Sequence, residues 1–265
     1  MADDGIVVPK GASLRLTNLR IGWGPKGPEV GPATVELSLH MAPVWIEIAL
    51  GHLVDSEEHR LRRLAAAKDD KASSSAEGEF VAAMQAIVAA ATALDAFYAL
   101  IKPLAGISEE MSATWRVKGT ARYKQVAEVL RRGFALQPKP SDRLRQMLKE
   151  IYRFRDWAVH PPAGFSLPVQ HPESGTGVEW RFVAFRFDNA RAAVRSALGC
   201  IALLSWSVRA DAPEALLDAS KATVELTNRL VQRWRQRYGP LTDDEKFEST
   251  GRDELTPTRG SNDVT

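Results

Sequence analysis

Cysteine is nearly absent from this chain, since Cys200 is the only one among 265 residues. A single cysteine forms no disulfide within the chain and cannot anchor a cysteine-rich metal site. The opening residues, Met-Ala-Asp-Asp-Gly, are acidic and lack the basic and then apolar layout of a signal peptide. Together these features predict a reducing, cytoplasmic location.

A strong net charge is missing as well. The 35 lysines and arginines are opposed by 33 aspartates and glutamates, which leaves a formal charge of +2. The whole molecule is therefore not a polycation, and any surface for nucleic acid has to be local. Apolar residues make up 45% and charged residues 26% of the chain, as is ordinary for a soluble globular protein with a real core.

No apolar run combines the length of a membrane span with a lack of polar residues. Residues 80–101 are long enough to span, but they are mainly alanine and include Gln85 and Asp95. Residues 194–208 are too short and carry Arg195. We therefore expect two buried helices and no membrane partner.

Apolar residues recur at helical spacing along most of the chain, which predicts a mainly α fold. Ser74 and Glu77 have the spacing of a capping box and predict a helix start there, after a polar linker at 69–78. Ser141 or Asp142 can cap a later helix. The predicted helices cover residues 43–67, 76–102, 120–132, 141–160, 188–209 and 211–238.

Two short regions favour strands instead. Residues 35–39 alternate like a strand after a turn-rich loop at 22–32, and residues 178–187 alternate bulky apolar with polar side chains, as one arm of a hairpin with 164–170. The expected organisation is an irregular and β segment at 1–42, a helix and linker at 43–75, a helical domain at 76–238 with a β insertion at about 163–187, and a disordered polar tail at 239–265.

The stretch from Leu144 to His160, LRQMLKEIYRFRDWAVH, holds the candidate site. Arg155 falls inside the apolar stripe of this predicted helix, between Ile151 and Ala158. An arginine there must find an anion or lie in a wet cleft, because an unpaired buried charge is too costly.

The angular positions of the two candidate side chains raise a difficulty. At about 100° per residue, Arg155 and His160 lie about 140° apart on a regular helix. Either the helix distorts before Pro161 or a second subunit completes the site. Arg153 shares a face with His160 more closely and is a reserve candidate.

The segment Arg155-Asp156-Trp157-Ala158-Val159-His160, near a helix end, resembles the R-x4-H motif of the HEPN family. The earlier apolar helix, with Asp95 in VAAATALDAFYALI, also looks like a helix of that fold. The resemblance covers about residues 76–162 and the helix after 188. It implies an antiparallel HEPN-like helical bundle that dimerises, with two copies of the motif meeting in one cleft.

Many HEPN proteins are metal-independent endoribonucleases of toxin–antitoxin or antiviral systems, so the resemblance implies RNA as substrate, an antitoxin among candidate partners, and no cofactor. Arg155 would stabilise charge on the phosphate, and His160 would transfer protons. Asp156 would orient Arg155 or hydrogen-bond the imidazole. Asp95 would support Arg155 or Arg153, or simply reach water at a helix edge.

Three alternatives stand beside this interpretation. Arg155 and His160 could be a structural pair at a helix end, in a non-catalytic HEPN-like module that binds RNA or nucleotides or assembles proteins. His52, Asp55 and His59 have a helical spacing that could hold a metal, but their charged neighbours indicate an ordinary exposed face, and we predict no metal. The basic stretch from 116 to 155 could be a solvated surface; as an RNA-binding patch it would use Arg116, Lys118, Arg122, Lys124 and Lys149.

Overall fold

The computed structural model describes residues 12–31, 34–66, 70–160 and 164–241. Within these ranges the protein is mainly α-helical, with small two-stranded sheets, as the sequence predicts. The eight described helices are α1 Met41–Ala65, α2 Asp70–Ile101, α3 Glu109–Val117, α4 Arg122–Gly133, α5 Pro138–Val159, α6 Trp180–Ala184, α7 Phe187–Trp206 and α8 Glu214–Tyr238.

Helix α2 is the centre of the bundle and packs against α1, α4, α5 and α7. Its many alanines favour helix and, being small, let neighbouring helices approach closely. Three larger residues of α2, Ile87, Leu94 and Phe97, are completely buried. The end of α4 also approaches α2 closely, because a Cβ on Gly133 would lie 2.7 Å from Cγ2 of Ile101.

Helix α2 is also the one described helix that is long and apolar enough to cross a membrane. More than half of its apolar window is buried by the rest of the protein. This burial is typical of the core helix of a soluble bundle.

Residues 12–31 and 34–39 form two antiparallel strand pairs. Strand β1 (Ala12–Thr17) pairs antiparallel with β4 (Thr34–Leu39), and between them β2 (Ile21–Gly24) pairs with β3 (Gly27–Val30). The predicted strand at 35–39 is confirmed, whereas the predicted loop at 22–32 is largely a hairpin. Gly27 has a φ of +116°, which only glycine adopts easily, and this permits the tight turn between β2 and β3.

The predicted strand at 178–187 is wrong for most of its length. The hairpin exists only as β5 (Val169–Gln170) paired with β6 (Gly177–Val178), and α6 follows at once. Aromatic packing outweighs the local strand preference. Phe182 stacks on Phe80 at 4.9 Å between ring centroids, and Trp180 meets Trp157 edge-on at 5.1 Å.

Two predicted helix starts are also wrong. Helix α2 begins at Asp70, so most of the predicted linker is helical, and the buried carboxylate of Glu79 ties this part of the helix to α1. Helix α5 begins at Pro138, with Gln137 as N-cap, and neither Ser141 nor Asp142 caps it. Proline suits the first helical position, because its φ is already helical and its missing N–H would have no partner there.

Helix α3 was not predicted, although its start has a clear signal. Ser108 precedes two glutamates, and its hydroxyl accepts a hydrogen bond from the amide of Met111 at 3.1 Å. The predicted disordered tail at 239–265 lies outside the described residues except for 239–241. There, Leu241 is buried and its carbonyl accepts a 2.8 Å hydrogen bond from Arg195, so the start of the tail is docked on α7.

Candidate functional site at the end of helix α5

Helix α5 places Arg155 at the border between the core and solvent. Ile151 and Tyr152 are buried one turn earlier, and the Arg155 side chain is 25% exposed. Its guanidinium lies over the ring of Tyr152, 4.6 Å from the centroid, and Nη1 donates to Oδ2 of Asp95 at 3.2 Å. The anion that an arginine in this stripe requires is therefore Asp95 of α2.

Asp95 accepts hydrogen bonds from two further side chains. Its Oδ1 atom accepts hydrogen bonds from Nε of Arg122 and from the hydroxyl of Tyr152, each at 2.7 Å. Arg122 also lies 3.9 Å above the ring of Tyr98. Burial, followed by the negative charge of Asp95, raises the pKa of Tyr152, so its hydroxyl stays a donor.

Asp156 orients Arg155 and does not bond the imidazole. Its Oδ1 accepts from Nε of Arg155 at 3.1 Å and from Nη2 at 2.8 Å. We call the resulting group the motif cluster, which consists of Asp95, Arg122, Tyr152, Arg155 and Asp156. Its two carboxylates balance its two guanidinium groups.

His160 is the residue that follows the last helical position of α5. Its amide donates to the carbonyl of Asp156 at 2.8 Å, and only here does the backbone leave the helical conformation, with φ −127° and ψ 63°. The imidazole is exposed and has no hydrogen-bond partner or ion pair among the described residues. The structure thus keeps both motif residues at the surface, but one chain does not join them.

Arg153, the reserve candidate, lies on the exposed face of α5. It forms an ion pair with Glu150, and its guanidinium is 4.8 Å from the ring centroid of Trp157. It does not bond Asp95, whose arginine partners are Arg122 and Arg155.

The predicted RNA-binding cations fall into three kinds. Arg122 belongs to the motif cluster, and Arg116 pairs with exposed Glu109 at 2.9 Å. Lys118, Lys124 and Lys149 are exposed and form no ion pair within the described part of the chain. Lys124 lines a groove of about 470 Å³ between α4 and the start of α5.

A second arginine–carboxylate group, which the sequence did not predict, joins the β5–β6 turn to the core. Glu173 in that turn pairs with Arg60 and Arg63 of α1, and Nε of Arg60 donates to it at 2.8 Å. Arg63 also donates from Nε to Glu79 of α2 at 2.9 Å, and the other oxygen of Glu79 accepts from the amide of Phe187 at 3.2 Å. We call Arg60, Arg63, Glu79 and Glu173 the anchor cluster.

A cavity of about 620 Å³ lies on the other side of Asp95, between the start of α1, α2 and α8. His40 at its rim has a buried Nδ1 atom without a hydrogen-bond partner among the described residues, and burial lowers the pKa of this imidazole. The sequence carried no signal for this cavity, because helix packing alone creates it.

The three candidate metal ligands on α1 line one groove but do not form a metal-binding group. His52 Nδ1 lies 3.7 Å from Asp55 Oδ2, but the His59 ring packs where a Cβ on Gly78 would be, 2.3 Å from its Nδ1. The described residues include no group of three or more His, Cys, Asp or Glu side chains able to hold a metal ion.

Comparison with protein-family models, with curated proteins and with solved structures finds no match for this chain. The fold and the site define the class of protein: a mainly α helical bundle with a partly buried arginine and an exposed histidine at the end of one helix.

Proposed function

We propose that this protein is a HEPN-type, metal-independent endoribonuclease that acts in the cytoplasm as a homodimer, in toxin–antitoxin or antiviral defence. The observation that carries the proposal is the placement of Arg155 and His160. Both lie at the solvent-facing end of one helix. Two carboxylates orient the first, and the second is exposed and has no partner among the described residues.

The reaction would use the 2′-hydroxyl of RNA as the nucleophile on the adjacent phosphorus. His160 would take the hydroxyl proton or donate one to the leaving oxygen, as imidazole can near neutral pH. Arg155 would stabilise the charge that develops on the phosphate oxygens.

The hydrogen bonds of Arg155 are compatible with this role. A guanidinium has five N–H donors, and Asp95 and Asp156 occupy only Nε and part of each terminal nitrogen. The remaining donors can reach a phosphate, while the two carboxylates hold the planar group in one orientation.

A second candidate function rests on the charge of the motif cluster. Two carboxylates cancel two guanidinium groups there, so the cluster by itself attracts a polyanion weakly. A non-catalytic HEPN-like module, which binds RNA or nucleotides through Lys118, Lys124 and Lys149 or assembles with proteins, is the alternative that this balance favours.

Cleavage of a single-stranded RNA in excess chelator tests the proposal. We expect products with cyclic-phosphate ends, and a loss of at least about 100-fold in rate for both Arg155→Ala and His160→Ala. Arg153→Ala, on the exposed face of the same helix, is the matched control and should cut normally. RNA binding without cleavage would support the alternative, and full activity in both motif variants would reject the site.

Mixing the two inactive variants tests whether the site is shared between subunits. If Arg155 of one copy works with His160 of its partner, half of the mixed population is heterodimeric and each heterodimer has one intact site. Activity should then return to about a quarter of the wild-type value. No recovery after subunit exchange would contradict a site made of Arg155 from one copy and His160 from the other.

A further inference from the structure

An exposed apolar segment, residues 164–170, lies shortly after the motif in the chain. All seven residues from 164 to 170 are exposed, Phe165 completely and Leu167 at 86%. Val159, which precedes His160, is 55% exposed. Exposed large apolar side chains that occur close together in the chain indicate an interaction site on a soluble protein.

The sequence of the segment, Gly-Phe-Ser-Leu-Pro-Val-Gln, contains no charged residue. Phe165, Leu167 and Val169 are its large apolar residues, and of these only Val169 lies in a strand. Pro168 lacks an N–H and limits pairing of the backbone with another strand. Contact with a partner would therefore run through side chains.

The far end of the segment is fixed to the bundle. Val169 pairs with Val178 in the β5–β6 hairpin, and Glu173 in the turn is held by Arg60 and Arg63 of the anchor cluster. The amide of His171 donates across the turn to the carbonyl of Thr176 at 2.8 Å. The apolar side chains are thus presented on an anchored element next to the motif.

Two features of the site point to a second copy of this chain as the occupant. Within the described residues Arg155 bonds Asp95 and Asp156 and shares no hydrogen bond with His160, so a second copy could supply the other half of the proposed site. In addition, an uncharged apolar patch is complementary to itself, which is what a two-fold symmetric interface requires.

The available area fits a dimer. A buried phenylalanine contributes roughly 150–250 Å², so Val159, Phe165, Leu167 and Val169 of two copies bury on the order of 1,000 Å², near the lower limit for a specific interface. We propose that residues 164–170 and Val159 form the surface on which a second copy docks and thereby brings the two motif ends together. The functional meaning of this dimer rests on the proposed nuclease, but the dimer itself does not.

Oligomeric state, measured by light scattering after size-exclusion chromatography, tests the surface. The wild-type protein should be a dimer at about 100 µM, and Phe165→Asp with Leu167→Asp should be a monomer with an unchanged circular dichroism spectrum. Val117→Asp is the control, because Val117 is equally exposed on α3 and should leave the dimer intact. A monomeric wild-type protein, or a dimeric double variant, would overturn the inference.

The oligomeric state, measured together with RNA cleavage, separates the two proposals. If the protein is a dimer that needs Phe165 and Leu167 but does not cut RNA, the proposed interface is supported and the proposed nuclease function is rejected. If the protein cuts RNA and the double variant is still a dimer, the proposed interface is rejected and the proposed nuclease function is supported.

Cross-linking gives an independent readout that leaves the apolar side chains in place. Ser166→Cys puts a thiol in the segment, and a short bis-maleimide should join two copies into a covalent dimer. Burial raises the pKa of the native Cys200 thiol to about 12, so its background reaction is slow. Val117→Cys should stay monomeric on a denaturing gel, and equal cross-linking of both variants would contradict the proposed surface.

Discussion

The anchor cluster and the motif cluster are both built from arginines and carboxylates, but they differ in how far water reaches them. In the anchor cluster the central pair, Arg63 and Glu79, is 9% and 5% exposed, and every carboxylate oxygen has a partner. Its outer pair, Arg60 and Glu173, is 27% and 19% exposed. In the motif cluster Arg155 and Asp95 are 25% and 27% exposed.

This difference separates a structural role from a candidate functional one. A buried group whose carboxylate oxygens are all paired is out of a ligand's reach, and the removal of one partner leaves unpaired charge in the core. A half-exposed group keeps free donors and a path for substrate. The same residue types therefore hold a hairpin in place in the anchor cluster and fix the orientation of an arginine near the end of α5 in the motif cluster.

The largest expected effect is the removal of Arg63. Arg63→Met leaves Glu79 buried without its cation, which should lower the free energy of unfolding by about 3–5 kcal/mol. Urea denaturation followed by circular dichroism measures this. The neighbouring variant Arg62→Met removes only an exposed pair with Glu58 and should cost less than about 1 kcal/mol. Equal losses in the two variants would mean that burial does not distinguish them.

The next effect concerns pH and Glu173. Burial alone would raise its pKa, but hydrogen bonds from Arg60 and Arg63 prevail and lower the pKa from 4.5 to about 2. A lowered folded-state pKa adds stability that is complete above about pH 5 and disappears as the pH falls toward 2. Glu173→Gln should therefore cost about 1–2 kcal/mol at pH 7, less than the full linkage value because the carboxylate is partly open to water, and almost nothing near pH 2.

Unfolding curves of the wild-type protein and Glu173→Gln at pH 7, 4 and 3 check this prediction. Glu58→Gln, which changes an exposed glutamate of α1, provides the control and should show little difference at any pH. A difference for Glu173→Gln that grew as the pH fell would contradict the assigned ion pairs.

A smaller effect is expected within the motif cluster. Tyr152→Phe removes one hydrogen bond to Asp95 but leaves Arg122 and Arg155 on that carboxylate, so the loss of stability should be about 1 kcal/mol. Tyr123→Phe is the control, because the Tyr123 hydroxyl has no hydrogen bond within the described residues. Thermal unfolding of both variants distinguishes these cases.

The smallest effect on stability belongs to Asp156, whose side chain is 56% exposed. Asp156→Asn should change the free energy of unfolding by less than about 0.5 kcal/mol. In the proposed nuclease the same change loosens the orientation of Arg155 and should slow RNA cleavage about tenfold. A large loss of stability with unchanged cleavage would reverse the comparison between the two clusters.

Periodicity predicted the bundle well because helices bury one face, and the stripes around Leu94 and Ile151 reflect that. Local signals failed where distant contacts decided the outcome. Trp180 and Phe182 alternate like strand residues, yet they lie in α6, because their rings pack against Trp157 of α5 and Phe80 of α2. Glu173 gave no sign of its role, since its partners are more than 100 positions away.

The candidate site shows the same division. The apolar spacing of α5 was enough to predict that Arg155 would need an anion and that it could not meet His160 on one regular helix. Of the readings left open for Asp95, the tertiary structure selects a partner of Arg155 and adds Arg122 and Tyr152.

By itself the sequence determined the helical class, because the spacing of apolar residues sets which face of each helix leaves water. It also determined that a charged group would interrupt the buried stripe of α5. Only the tertiary structure decided which carboxylates meet that group, how the β5–β6 turn is tied to α1, and which apolar residues stay outside. Those outcomes depend on contacts between segments far apart in the chain, and a local sequence pattern does not show which distant segments will come into contact.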